Sequence, residues 1–308
     1  YAHDFSDIGV FGGEANFNSV KFCDGVDFVG VSGLANFMDT EFDGDVALFW
    51  GAKLYNAWFS RAKFDSAYTD FRKTQFIGIA SFNEALFSNE PNFEKAQFKS
   101  DTYFIGTEFK GKSHFVDSMF NMNADFTNSK FGAEAIFNGA KFNGYFIGWN
   151  NIEDVFKGDE ATYLGLIQNF KKHGQFSDAD NCYYSYMNWI LDQNSGFSKL
   201  SDYVSWATSG YGVKPWRPII SGISILLIFS IIYFLLIKKI NYTDAVWFSM
   251  SALLSLPKEL HISDYKIFID NQHGGLGLIR YLYIIERLIG WGLLVIFINT
   301  LTRVMIRY

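Results

Sequence analysis

The sequence predicts a mixed β and α membrane protein, with a repetitive N-terminal half followed by helices, two of which cross a membrane. Three observations predict this class. Phenylalanines recur at a fixed interval between Phe11 and Phe142. Two apolar runs, residues 218–237 and 276–306, each reach the roughly 20 residues that a spanning helix requires. Between them, residues 242–257 form a shorter segment that is apolar only in its middle.

The phenylalanine interval is most regular from Phe87 to Phe142, where steps of six and five residues alternate. An 11-residue period fits neither a helix nor a simple strand. Small residues, mostly Ala, stand two positions before many of these phenylalanines. This pattern resembles the pentapeptide-repeat family, whose chain winds a right-handed, four-sided β-helix with one apolar residue pointing inward from each side.

The resemblance implies that residues 1–150 form a right-handed quadrilateral β-helix built on an 11-residue double unit. One coil then takes about 22 residues, the domain contains about six coils, and Phe115 stacks between Phe93 and Phe137. The spacing slips near Gly33 and again at residues 68–71, where we expect a loop or bulge.

Residues 151–195 change to a helical period. Tyr163, Leu166, Ile167 and Phe170 share one helix face, and a second helix is expected after a stop at residues 173–174. We expect a helical hairpin that covers the open end of the β-helix; an interaction site for a partner is the alternative.

Residues 196–217 form an amphipathic segment with Phe197 and Leu200 on its apolar side. Trp206 and Trp216 flank it, as aromatic residues do at a bilayer surface. We expect a helix that lies in the membrane interface, or otherwise a linker helix packed on the hairpin.

Residues 218–308 have the order long apolar run, short segment, long apolar run, which is typical of a two-helix channel subunit with a re-entrant segment. The short segment resembles the pore helix of potassium-channel-like proteins, in which an acidic residue and an Ala precede two aromatics and a small residue. The matching residues are Asp244, Ala245, Trp247, Phe248 and Ser249. With the repeat included, the chain resembles the pentapeptide-repeat-containing ion channel proteins.

The resemblance places the filter and pore entrance at Ser255, Leu256, Pro257, Lys258 and Glu259. Glycines let a filter turn consecutive carbonyls to the axis, and this segment has none. Proline fixes its φ angle and lacks an N–H group. We therefore expect weak discrimination among monovalent cations and no potassium selectivity.

One stripe of the second span is predicted to line the pore and form its gate; it consists of Glu286, Gly290, Leu293, Phe297 and Leu301. Charges deep in a bilayer are costly unless they are paired or wet. Glu286 and Arg287 therefore face an aqueous vestibule or a partner, or else the span begins only at Leu288 and both charges are interfacial.

Composition limits the remaining function classes. Residues 1–150 carry 12 Lys and Arg against 19 Asp and Glu, a net charge of −7, which disfavours a nucleic-acid partner. The five histidines and two cysteines are scattered, so we expect no enzyme, no metal site and no cofactor.

The sequence thus predicts a homo-oligomeric ion channel, favouring four copies, whose partners are other copies, the lipid bilayer and permeating ions. A large N-terminal half without a recognisable signal peptide or disulfide framework favours the cytoplasm for the β-helix. Two alternatives remain open. One is an acidic pentapeptide-repeat binding scaffold that imitates DNA; the other is a non-conducting membrane anchor.

Overall fold

The computed structural model describes residues 3–6, 9–237, 240–255 and 276–305. The chain divides into two compact units, Tyr1–Tyr186 and Met187–Tyr308. The first contains the β-strands and the second most of the helical part.

The first unit is a β-solenoid of short parallel strands. These are β1 His3–Asp4, β2 Val10–Asn16, β3 Lys21–Phe22, β4 Val26–Asp27, β5 Ser32–Asn36, β6 Glu41–Phe42, β7 Val46–Leu48, β8 Lys53–Trp58, β9 Lys63–Phe64, β10 Tyr68–Asp70, β11 Gln75–Phe76, β12 Ala80–Ser81, β13 Leu86–Phe87, β14 Pro91–Asn92, β15 Gln97–Phe98, β16 Thr102–Tyr103, β17 Glu108–Phe109, β18 Ser113–His114, β19 Met119–Phe120, β20 Ala124–Asp125, β21 Lys130–Phe131, β22 Ala135–Ile136, β23 Lys141–Phe142, β24 Phe146–Ile147 and β25 Phe156–Lys157.

Each coil places strands on four faces. One face is the sheet β1-β4-β7-β10-β14-β18-β22-β25, and a second is β3-β6-β9-β13-β17-β21. The other two faces, β11-β15-β19-β23 and β12-β16-β20-β24, both continue from β8, which spans them. Gln75 pairs with Gln97 and Gln97 with Met119, so one coil takes 22 residues here, as predicted. The solenoid completes about seven turns rather than six.

Phenylalanine ladders fill the interior. The ring of Phe115 lies 4.9 Å from that of Phe93 and 4.6 Å from that of Phe137, with the rings nearly parallel, which confirms the predicted stack. The interior rings of neighbouring faces meet edge to face, as between Phe104 and Phe115 at 5.7 Å. Both arrangements are favoured by aromatic quadrupoles, and burial of these rings supplies most of the hydrophobic stabilisation.

Tight turns form the corners between faces. In one of them the Ala62 N–H donates to the Phe59 carbonyl at 3.0 Å, and Arg61 has a φ of 59°. A positive φ at the third position is characteristic of a type II turn. Ala62 follows and is fully buried, which explains why small residues recur after these turns. Several corners also bury a threonine hydroxyl: Thr107 donates to the Phe82 carbonyl of the preceding coil at 2.7 Å.

Of the two irregularities predicted from the phenylalanine spacing, the structure contains the one near Gly33 and lacks the one at residues 68–71. The pairing of β5 with β8 shifts register between Gly33 and Ala35, which confirms the expected bulge. The loop or bulge expected at residues 68–71 is wrong: β10 pairs in regular register with β7 and β14. The longer phenylalanine spacing is taken up by the bend at residues 66–67, just before this strand.

Helices follow the last coil. They begin with α1 (Trp149–Ile152), α2 (Glu160–Lys172) and α3 (Phe176–Gln193), and β25 lies between α1 and α2. The solenoid therefore extends past residue 150, where the sequence placed its end. Asn169 Nδ2 donates to the carbonyls of Phe142 and Gly144, both at 2.9 Å, and Gln175 Nε2 donates to that of Phe146 at 2.9 Å. Side chains from the helical hairpin thus satisfy backbone acceptors that no further coil pairs.

In its described residues the second unit contains four further helices, α4 (Gly196–Ser209), α5 (Arg217–Leu236), α6 (Tyr242–Leu253) and α7 (Leu276–Met305). Within the described residues, two helical stretches are long and apolar enough to cross a membrane, Arg217–Leu236 with 20 residues and Leu278–Met305 with 28. Both coincide with the predicted spans.

Candidate functional site in the helical unit

The short helix α6 packs against both long helices. Its 12 residues span about 18 Å at 1.5 Å per residue, well short of a hydrocarbon core of about 30 Å. The buried residues of α6 are mostly small: Ala245, Phe248, Ser249, Ser251, Ala252 and Leu253. This composition permits a close approach of three helices.

An aromatic cluster joins the three helices at one level. The ring of Phe248 on α6 lies 4.8 Å from that of Tyr233 on α5, edge to face, and 5.3 Å from that of Tyr283 on α7. Ile237, Ile240 and Ala245 complete the buried part of this cluster.

A buried carboxyl group lies beside the cluster. Glu286 of α7 has no exposed surface, and neither do Tyr233 or Ser249. The Tyr233 hydroxyl donates to Glu286 Oε2 at 2.8 Å, and the Ser249 hydroxyl contacts Glu286 Oε1. One acidic side chain therefore contacts a polar group from each of the other two helices.

The predicted pore-helix residues all lie on α6 but on different faces. Ala245, Phe248 and Ser249 are buried against the long helices, Asp244 is half-buried, and Trp247 is 55% exposed. The aromatic pair of the sequence pattern is thus divided between the interior and the surface of this unit.

Of the predicted filter residues, Ser255 alone falls within the described part of the chain; Leu256, Pro257, Lys258 and Glu259 lie outside it. Ser255 lies in the turn just after α6 with a φ of 54°, and its hydroxyl accepts a hydrogen bond from Arg287 Nε at 3.1 Å. A guanidinium group therefore stands beside the start of the predicted filter.

The predicted pore-lining stripe lies on the side of α7 that faces α5 and α6. Glu286, Gly290 and Leu293 are buried, while Phe297 and Leu301 are half-buried. A Cβ atom on Gly290 would come within 2.0 Å of the Leu253 carbonyl oxygen, so only glycine permits this contact between α6 and α7. The role of these five residues in lining a pore stays a prediction.

The opposite side of α7 carries an exposed stripe that the sequence reasoning missed. Its members follow each other at alternating intervals of four and three residues: Tyr281, Ile285, Leu288, Gly292, Val295, Asn299 and Thr302. Two members of the exposed stripe, Asn299 and Thr302, are polar, and the members before them are mostly apolar. Their spacing of three residues places both on one helix face, and this was the signal in the sequence.

Cationic and aromatic side chains gather where α4 meets α5. The Arg217 guanidinium lies over the rings of Trp206 and Trp216, at 4.7 and 5.4 Å, and Arg303 of α7 donates to the Tyr211 carbonyl at 3.5 Å. The C-terminal end of α7 therefore lies close to the turn that precedes α5. Tryptophan and arginine together are characteristic of the membrane–water boundary.

No metal-ligating group emerges from the described residues, where no three His, Cys, Asp or Glu side chains cluster in a way that could hold an ion.

The comparison with known families bears on the first unit. The family model "Pentapeptide repeats (9 copies)" matches residues 49–90 and 82–129. These segments cover the regular coils with the stacked phenylalanines. The solenoid is a pentapeptide-repeat domain. Neither the curated proteins nor the solved structures contain a significant match to this chain, so the helical unit is interpreted from its own residues.

Proposed function

We propose that the chain is one subunit of a homo-oligomeric ion channel, in which α5, α6 and α7 of several copies surround the conducting path. The observation that carries this proposal is α6. It is too short to cross a bilayer, yet its buried face packs against two helices that are long enough to do so. A short helix held at this position resembles the re-entrant segment of two-helix channels.

The exposed stripe of α7 supports assembly. Asn299 and Thr302 are polar, and Gly292 leaves a flat surface in the same stripe. Polar groups within a spanning helix are costly against lipid and face other helices or water instead. One copy cannot enclose a path with two long helices and one short one, and cyclic symmetry with four copies is the usual closure for this arrangement.

Weak selectivity follows from the residues beyond α6. Pro257 occupies the approximate place of the first filter glycine, where its fixed φ prevents the stack of dehydrating carbonyls. The Arg287 guanidinium beside Ser255 opposes a strong preference for cations. We therefore expect partly hydrated monovalent ions to pass with little discrimination.

The pentapeptide-repeat domain is proposed to lie in the cytoplasm, and α4 in the adjacent interface. Phe197 and Leu200 on α4 are 85% and 58% exposed, which leaves an apolar side available to lipid. Lys199, Lys214 and Arg217 supply positive charge at the same boundary, where the cytoplasmic leaflet is anionic.

Two measurements on the purified full-length chain test the channel. The first is its mass in mild detergent and in lipid nanodiscs; a monomer in both would refute the assembly. The second is the reversal potential in liposomes with sodium on one side and potassium on the other. We expect a permeability ratio near unity, and a potassium-to-sodium ratio on the order of 100, as in filter-bearing channels, would contradict the proposed selectivity.

Variants of α7 locate the constriction. If Phe297 and Leu301 form hydrophobic rings that close the path, Phe297→Ala and Leu301→Asn raise the resting flux. Leu294→Ala, at an exposed position of the same helix outside the exposed stripe, is the matched control and should leave flux unchanged. An assembled protein that carries no current with any of these variants would instead be a non-conducting anchor. Binding of the pentapeptide-repeat domain to a DNA-processing enzyme would favour the DNA-imitating scaffold.

A further inference from the structure

Tyr233, Ser249 and Glu286 form a buried polar cluster, named here the Glu286 cluster. Each member belongs to a different helix, and none has any exposed surface. Burial of a carboxyl group between three helices is costly unless its charge is compensated or removed.

Among the described residues, no cationic side chain forms an ion pair with the Glu286 carboxyl. The groups within hydrogen-bonding distance of the Glu286 carboxyl are the hydroxyls of Tyr233 and Ser249. Arg287 is the next residue on α7, but its side chain is exposed and its Nε donates to Ser255. Two neutral hydroxyls do not offset the desolvation of a full negative charge.

The count of hydrogens favours a neutral acid. Ser249 has one hydroxyl hydrogen and lies within hydrogen-bonding distance of two acceptors, Glu286 Oε1 and the Leu226 carbonyl at 3.1 Å. If Oε1 carries a proton, Glu286 donates to Ser249, Ser249 donates to Leu226, and Tyr233 donates to Oε2. Each contact then has one hydrogen. If Glu286 is ionised, Ser249 donates to Oε1, and its 3.1 Å contact with the Leu226 carbonyl, which already accepts from the Ser230 hydroxyl at 2.6 Å, has no hydrogen.

We propose that Glu286 is a proton-binding site, occupied at neutral pH, whose proton holds α5, α6 and α7 together. Loss of the proton leaves an uncompensated negative charge between the helices. This charge weakens the packing of α6 against α5 and α7, or draws water into the space between them. Of the titratable and charged groups on the three helices, Tyr233 of α5 contacts Glu286, Tyr283 of α7 packs on Phe248, Arg287 follows Glu286 in the chain, and Asp244 is the acidic residue of α6. The ligand is a proton, so the site couples the packing of the helical unit to pH.

Infrared difference spectroscopy on the full-length protein in lipid detects this proton directly. We expect a carbonyl stretch from a non-ionised carboxyl group at pH 7 that disappears in Glu286→Gln and persists in Glu108→Gln, a matched change at an exposed carboxylate of the solenoid. Tyr233→Phe removes the hydroxyl that donates to Oε2 and should move the band to higher frequency, which a merely structural role of Tyr233 would not do. Absence of the band in folded wild-type protein overturns the proposal, as does a band that Glu286→Gln leaves unchanged.

Stability against pH is the second readout. The folded unit keeps a proton that the unfolded chain releases, so raising the pH through the ionisation of Glu286 should lower the melting temperature of the wild type in detergent. Glutamine has the shape of the neutral acid and can donate to Ser249 and accept from Tyr233, so Glu286→Gln should remove this slope. Parallel curves for wild type and Glu286→Gln would overturn the proposal. Should Glu286→Gln fail to fold, the band shift in Tyr233→Phe decides the question.

Discussion

The phenylalanine ladders allow a quantitative test within a single stack. Phe109 is fully buried between Phe87 at 5.1 Å and Phe131 at 4.8 Å, both nearly parallel. Phe131 belongs to β21, the last strand of its sheet, and is half-buried. The same substitution at these two positions therefore compares an interior ring with a terminal ring of one ladder.

Phe109→Ala should lower the free energy of unfolding of the solenoid by about 4 kcal/mol, the middle of the range for a buried phenylalanine. This includes the loss of two stacked neighbours, worth about 0.5–1.5 kcal/mol each beyond their buried area. Phe131→Ala loses one stacked neighbour and less buried area, and should cost about 2 kcal/mol. The difference corresponds to a factor of roughly 30 in the unfolding equilibrium constant.

Pulse proteolysis in a urea series, applied to the full-length protein in detergent, measures the fraction of unfolded solenoid. The midpoint should fall further for Phe109→Ala than for Phe131→Ala, with the slope unchanged. Equal costs at both positions would show that stacking within the ladder does not set the stability. A cost below about 1 kcal/mol at Phe109 would contradict the fully packed interior.

Two further predictions concern the helical unit and the cysteines. Gly290→Ala should lower the melting temperature in detergent, with a cost of about 1–3 kcal/mol, because the new Cβ meets the Leu253 carbonyl oxygen. Gly222→Ala on α5 places its Cβ 3.9 Å from Leu293 Cδ1, an ordinary contact, and should be neutral or slightly stabilising, so an equal loss in both variants would refute the contact with Leu253. Burial raises the pKa of the Cys182 thiol far above its ordinary value, whereas Cys23 is exposed. A maleimide at pH 8 should therefore label Cys23 and spare Cys182 until the protein is denatured, and equal labelling of the native protein would contradict this.

The sequence by itself determined the pentapeptide-repeat domain in detail. Phenylalanines at 11-residue intervals fixed the coil length and the stacking partners because each coil contacts only its neighbours. The sequence also located both long helices, since the length and apolar composition of a segment are enough to identify a candidate membrane span. The bend at residues 66–67 was misplaced because spacing shows an extra residue without showing which part of the coil accommodates it.

Tertiary structure alone decided how the helices of the second unit face one another. Apolar residues lie on every side of α7, so no amphipathic period marks its inner face. The predicted pore-lining stripe of α7 lies on the side that packs against α5 and α6, opposite the exposed stripe. Glu286 meets Tyr233 across 53 residues of chain and Ser249 across 37. No local pattern connects groups so far apart, and only the packing of three helices brings them within hydrogen-bonding distance.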